Sequence, residues 1–129
     1  MKKNVELLSV EAFTDFECFV TMIIDGYTVN KVRVVADIGE IQAILNSRNS
    51  KNIDMHIYFD TYRIFPIKEP QMEVKSNVIR GRVVRIVTDE EIEFDCGFVV
   101  EVHVPENYLA SINLGDYLTI QGYFSGIQY

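Results

Sequence analysis

The chain has 129 residues, 48% of them hydrophobic, with 8 Phe and 7 Tyr, which is enough for a real core and excludes a disordered segment. An excess of 19 acidic over 12 basic side chains gives a net charge of -7, so any nucleic-acid face must be a local basic patch rather than a property of the whole surface. With only Cys18 and Cys96 and no CxxC pair, neither a zinc site nor a disulfide framework is suggested, and two reduced, buried thiols are expected.

In chain order, "MKKNVELLSVEAF" starts basic, but Glu6 and Glu11 interrupt the apolar run too early for a signal peptide. No stretch approaches the ~20 apolar residues of a membrane span. A cytoplasmic protein with no membrane partner is expected.

The double apolar step at Leu7-Leu8 in "VELLSV" breaks a period-two strand and predicts a bulge or sharp coil. "FECFVTMII" follows as a second strand. In "KVRVVAD", Val32, Val34 and Ala36 share one face of a third, with Lys31 and Arg33 on the other. "DIGEIQAILNS" predicts a short helix, with Asp37 as N-cap, Glu40 as its capping-box partner and Ile41, Ile44 and Leu45 on one face. "IDMHIYF" turns Ile53, Met55, Ile57 and Phe59 inward, and a turn is expected at Asp60 and Thr61, flanked by Tyr58 and Tyr62. Pro66 and Pro70 in "PIKEPQMEVKS" mark a connector.

The elements then repeat. "GRVVRI" has its own double step at Val83-Val84, "FDCGFVVEV" rhymes with "FECFVTMII", and "VVEVHVP" points Val100, Val102 and Val104 to one side. A second short helix is expected in "PENYLASINLG", with Tyr108, Leu109 and Ile112 on one face and Gly115 as its stop. In the strand "GDYLTIQGYF", Leu118, Ile120 and Phe124 face inward and Tyr117, Thr119, Gln121 and Tyr123 outward.

The fold class is therefore mainly β: two small OB-like Greek-key barrels in tandem, residues 1–66 and 74–129, joined by a connector at 67–73, each with one short helix after its third strand. One larger β-barrel or sandwich is the alternative.

The second half resembles bacterial single-stranded-DNA-binding proteins of the OB fold over residues 77 to 126. "NVIRGRVVRIVTDEE" is similar to that family's opening strand through Asn77, Gly81, Arg82, Val83, Asp89 and Glu90. "YLASINLGDYLTIQGYF" is similar to its helix end and fourth strand through Tyr108, Leu109, Gly115, Asp116, Leu118, Ile120, Gly122 and Phe124. The acidic turn lacks the family's proline, the hairpin between strands two and three shrinks to "DCGF", and no Trp is present for the stacking positions. The resemblance implies the barrel and single-strand binding without chemistry.

A barrel that binds single strands needs a basic groove and exposed aromatic faces. The candidates are Lys75, Arg80, Arg82 and Arg85 for the backbone and Tyr117 and Tyr123 for stacking, with Tyr58, Tyr62 and Arg63 as further candidates. Asp89, Glu90, Glu91, Glu93 and Asp95 stand nearby and could neutralise the cations. His56 with Asp54, and His103 with Glu101, lie two apart on strands and carry no nucleophile motif, and no metal or phosphate motif occurs, so no enzyme, cofactor or metal is expected. Single-stranded DNA before RNA is the expected ligand. The alternative is a protein-interaction or assembly module, homo-oligomeric included, that uses the same β surface.

Overall fold

A computed structural model describes residues 1–47, 51–105, 108 and 111–128. The fold is mainly β, as expected. The strands are β1 (Lys2–Thr14), β2 (Glu17–Ile24), β3 (Tyr27–Val35), β4 (Asn52–Pro66), β5 (Glu73–Val74), β6 (Val78–Thr88), β7 (Glu91–Asp95), β8 (Val99–His103) and β9 (Tyr117–Gln128), with one helix, α1 (Ile38–Leu45). The chain forms two compact units: unit 1 is residues 1–57 with 124–129, and unit 2 is residues 58–123.

This division differs from the one expected at 67–73. Each stretch that reads as a strand pair is one continuous strand, so no turn forms at Asp60 and Thr61. Residues 52–57 of β4 belong to unit 1 and residues 58–66 to unit 2, while β9 contributes residues 117–123 to unit 2 and its last residues to unit 1. The alternation of β4 stops at Asp60, but the strand itself runs on, with no Gly or Pro before Pro66. Residues 67–72 are the irregular link between β4 and β5 within unit 2.

In unit 1, β1 pairs with β2, β2 with β3, β3 with the end of β9, β9 with β4, and β4 again with β1. The third strand meets its β9 neighbour in parallel, Arg33 to Val35 opposite Ser125 to Ile127, and every pairing resolved around it is antiparallel. This closed order, with α1 between third and fourth strands, is the OB-like Greek key. Asp25 and Gly26, both at positive φ, form the tight primed turn that suits a two-residue hairpin between β2 and β3. Helix α1 starts where expected: the Asp37 carboxylate accepts the Gly39 and Glu40 amides at 2.8 and 3.3 Å. Ile41 is its fully buried residue, and Val5, Leu7, Val20, Met22, Val32, Val34, Met55 and Ile57 fill the interior.

Unit 2 repeats the order with β6, β7 and β8, then β4 from Tyr58, then β9 up to Tyr123, and back to β6. Here too the third strand has a parallel neighbour, Tyr58 to Asp60 opposite Glu101 to His103. Residues 106, 107, 109 and 110 of the second helix expected at 105–115 lie outside the described residues. Phe59, Ile79, Val83, Ile92, Phe94, Val100, Val102 and Ile120 make the core. At ~25 cal/mol per Å² of apolar surface removed from water, a fully buried Phe contributes on the order of 2–3 kcal/mol. Thr119 is buried as well, contrary to the outward position its alternation suggests, and so is Ser125.

Both double apolar steps are bulges. The β1–β2 register slips between Leu7 and Ser9, and the β6–β7 register between Val83 and Arg85. Before each slip the strand alternates buried and open positions. After it, nearly every residue is exposed. Cys18 and Cys96 are buried and free, as expected, and burial pushes the Cys18 thiol up from its ordinary value. Among the described residues no helix is long and apolar enough to cross a membrane.

Candidate functional site

The nine candidate residues all lie in unit 2. Backbone pairing explains their placement. On β6, Arg80 is opposite Thr119 and Arg82 opposite Tyr117 of β9, while on the other side Arg82 faces Asp95 and Arg85 faces Glu93 of β7. The expected outward strip therefore exists as a row of side chains, but carboxylates answer most of it. Glu73 accepts from Arg80 and also pairs with Lys75 at 2.8 Å, and Arg85 lies 3.5 Å from Glu93. The Lys75 and Arg80 hydrogen bonds hold the Glu73 carboxyl below its ordinary value. Arg82 makes no ion pair among the described residues, and Arg63 is exposed. In unit 1, Arg33 is likewise matched, by Glu17.

The tyrosines separate into two settings. Tyr62 is 67% exposed and leans against Tyr123, with ring centroids 5.5 Å apart and planes at 49°. Tyr62 lines a shallow cleft with Asn77, Val78, Arg80, Gln121 and Gly122. Tyr58 instead lies flat on the His103 ring, centroids 4.6 Å apart and planes at 18°, so that one of its faces is already taken. Tyr117 is half-buried opposite Arg82.

A second constellation grows from His103 and Glu101, which the sequence offers only as neighbours two apart on one strand. Register adds Asp60 and Glu91 to them. His103 of β8 is opposite Asp60 of β4 on one side and Glu91 of β7 on the other, and Glu101 is two residues back on the same face. The imidazole Nδ1 lies 3.4 Å from Asp60, while Nε2 faces Glu101 at 3.5 Å and Glu91 at 3.8 Å. The Asp60 contact raises the His103 pKa above its ordinary value despite partial burial. A hydrogen bond with the Glu101 carboxyl, and then burial, raise that of Glu91. The "EVH" spacing at Glu101 and His103 was the visible half of this signal. The cross-strand half needed the register, which a sequence without turn cues at β4 does not supply.

Asp60, Glu91 and His103 line an open cavity of about 550 Å³, together with Thr61, Tyr62 and Tyr123. The Thr61 hydroxyl oxygen is shut off from solvent and has no hydrogen-bond partner among the described residues. The other end of β6 is different in kind: Val84, Ile86 and Val87 are 37%, 44% and 37% exposed beyond the bulge.

Compared with protein-family models, with curated proteins and with solved structures, the chain matches none.

Proposed function

We propose that this protein is a non-catalytic protein-interaction module that assembles with a second copy of itself through the outer β surface of unit 2. The observation that carries this reading is the projecting half of β6, where Val84, Ile86 and Val87 stay exposed on both faces of the strand after the bulge. Clustered apolar side chains on a hairpin are costly to leave in water unless a partner covers them. The paired cations Lys75, Arg80 and Arg85 and the net charge of -7 favour a protein over a polyanion. Light scattering tests this: the wild-type mass should exceed that of one chain, and Val84→Ser with Ile86→Ser should bring it down to a monomer. A monomeric wild type, or an assembly that both substitutions leave intact, overturns it.

Single-strand binding is the second reading, favoured by the exposed Tyr62 leaning on Tyr123 beside Arg80, with Arg82 and Arg63 near by in sequence. Stacking on such rings is worth about 1–3 kcal/mol per base. A labelled oligothymidylate should then bind at low salt, with a log-log salt slope of about -0.7 for each phosphate neutralised. Absence of binding at low salt overturns this reading.

A further inference from the structure

We propose that His103, Glu91 and Glu101 of unit 2 bind a borderline divalent transition-metal ion, zinc first, with Asp60 as the residue that orients the imidazole and the adjoining cavity as the way in. The three potential ligand atoms lie within 4.8 Å of one another. His103 Nε2 sits 3.5 and 3.8 Å from oxygens of Glu101 and Glu91, too long for good hydrogen bonds. Such spacings are close to those of donors sharing one ion, since ligand bonds of about 2.0–2.2 Å set tetrahedral neighbours about 3.4 Å apart.

The imidazole is also presented the right way round. Asp60 lies at Nδ1, which favours the proton there and leaves the Nε2 lone pair facing the two glutamates. A carboxylate behind the histidine is the usual means by which a metal-binding imidazole is fixed. Tyr58, stacked flat on the ring, restrains it further. The Glu91 and Glu101 carboxyls both stand at Nε2, and a dication bound there would neutralise their combined charge.

Asp60, Glu91 and His103 line one open cavity of about 550 Å³. A metal with three protein ligands keeps at least one position for water, and this cavity has room for it. One nitrogen and two carboxylate donors suit Zn²⁺ or a neighbouring d-block ion better than Ca²⁺ or Mg²⁺, which take oxygen ligands throughout. This site stands apart from the interaction reading, which depends on the β6 hairpin.

The test is calorimetry with zinc chloride on the full chain after treatment with a chelator. The wild type should bind one Zn²⁺ per chain, His103→Ala should abolish that binding, and Asp60→Asn should weaken it about 10–100-fold. His56→Ala, a change to the other histidine, should leave it intact. Because His103→Ala could disturb the fold, the wild type is also titrated with Co²⁺, whose visible absorption should show the bands of a low-symmetry site and lose them when zinc is added. Absence of saturable zinc binding by the wild type, binding that survives in folded His103→Ala, or Mg²⁺ and Ca²⁺ competing as well as Co²⁺ would each overturn the assignment.

Discussion

Unit 1 and unit 2 close the same five-strand order, each with a third strand parallel to one of the two long strands β9 and β4, yet their outer surfaces have diverged. In unit 1 the hairpin beyond the bulge bears Phe13 and Phe16, 68% and 66% exposed, with Phe13 edge-on to Phe19. In unit 2 the equivalent hairpin is aliphatic, and β7, β8 and β4 behind it carry Glu91, Glu93, Glu101, Asp60 and His103. The interior pattern is held by the requirement to fill a barrel. The outer residues meet no such requirement, so the differences between the units point to what each face is for.

The units differ most in how tightly backbones approach, and the largest expected effect breaks the comparison there. A Cβ added at Gly122 would sit 1.8 Å from the Asp60 carbonyl oxygen, and one at Gly81 would sit 1.9 Å from that of Asp95, so in unit 2 backbone itself must move. At Gly126 of unit 1 the nearest atoms are the Met55 sulfur at 3.1 Å and the Ile57 Cδ1 at 3.2 Å, side-chain atoms that need give only a few tenths of an ångström. Gly122→Ala and Gly81→Ala should each cost about 3 kcal/mol or more, whereas Gly126→Ala should cost under about 1 kcal/mol. Urea midpoints at constant m-value give the comparison, and equal losses at Gly122 and Gly126 would show that the close approach in unit 2 is not rigid.

A smaller effect is expected from the helix cap of unit 1. Asp37→Ala removes the acceptor for the Gly39 and Glu40 amides and should cost about 1 kcal/mol, while Asp37→Asn should recover most of it. Smaller still are the two hairpins. Within a single chain, Phe13→Ser with Phe16→Ser, and separately Val84→Ser with Ile86→Ser, should each change stability by no more than about 0.5 kcal/mol per residue, because these side chains pack little against their own chain. Only the second pair should lower the mass seen by light scattering. If the first pair does so as well, the two hairpins share one role and the divergence between units is superficial.

These contrasts also show which parts of the molecule could be read in the sequence. Alternation placed Val32, Val34, Met55, Ile57, Phe59, Val100, Val102, Leu118, Ile120 and Phe124 inside, because a half-buried strand must alternate. The phase slips at Leu7-Leu8 and Val83-Val84 announced both bulges, and Asp37 with Glu40 announced α1. What failed was the turn at Asp60 and Thr61. A break in alternation marks a turn between two strands and equally the point where one strand leaves one core for another, and only tertiary pairing distinguishes them. That single misreading hid the cluster at His103, since its members come from β4, β7 and β8 and none is within two residues of another except Glu101.

The smallest effect separates the basic strip from the acids that answer it. Glu73 holds Lys75 and Arg80, and both hydrogen bonds lower its carboxyl below the ordinary value of about 4.3. A group depressed on folding contributes stability that is present above its unfolded value and lost as pH falls through the folded one. The contribution of Glu73 should therefore be complete at neutral pH and fade only below about pH 4.3. Being on the surface, it should be slight and weaken with salt. Glu73→Gln should accordingly leave stability at pH 7 almost unchanged and flatten its decline between about pH 4.3 and lower values, measured by urea midpoints at several pH values. The same substitution releases two cations of unit 2. If it creates low-salt oligothymidylate binding that the wild type lacks, Glu73 is what keeps that face from phosphate; if the wild type binds equally well, Arg82 and the Tyr62–Tyr123 pair suffice without the neutralised cations.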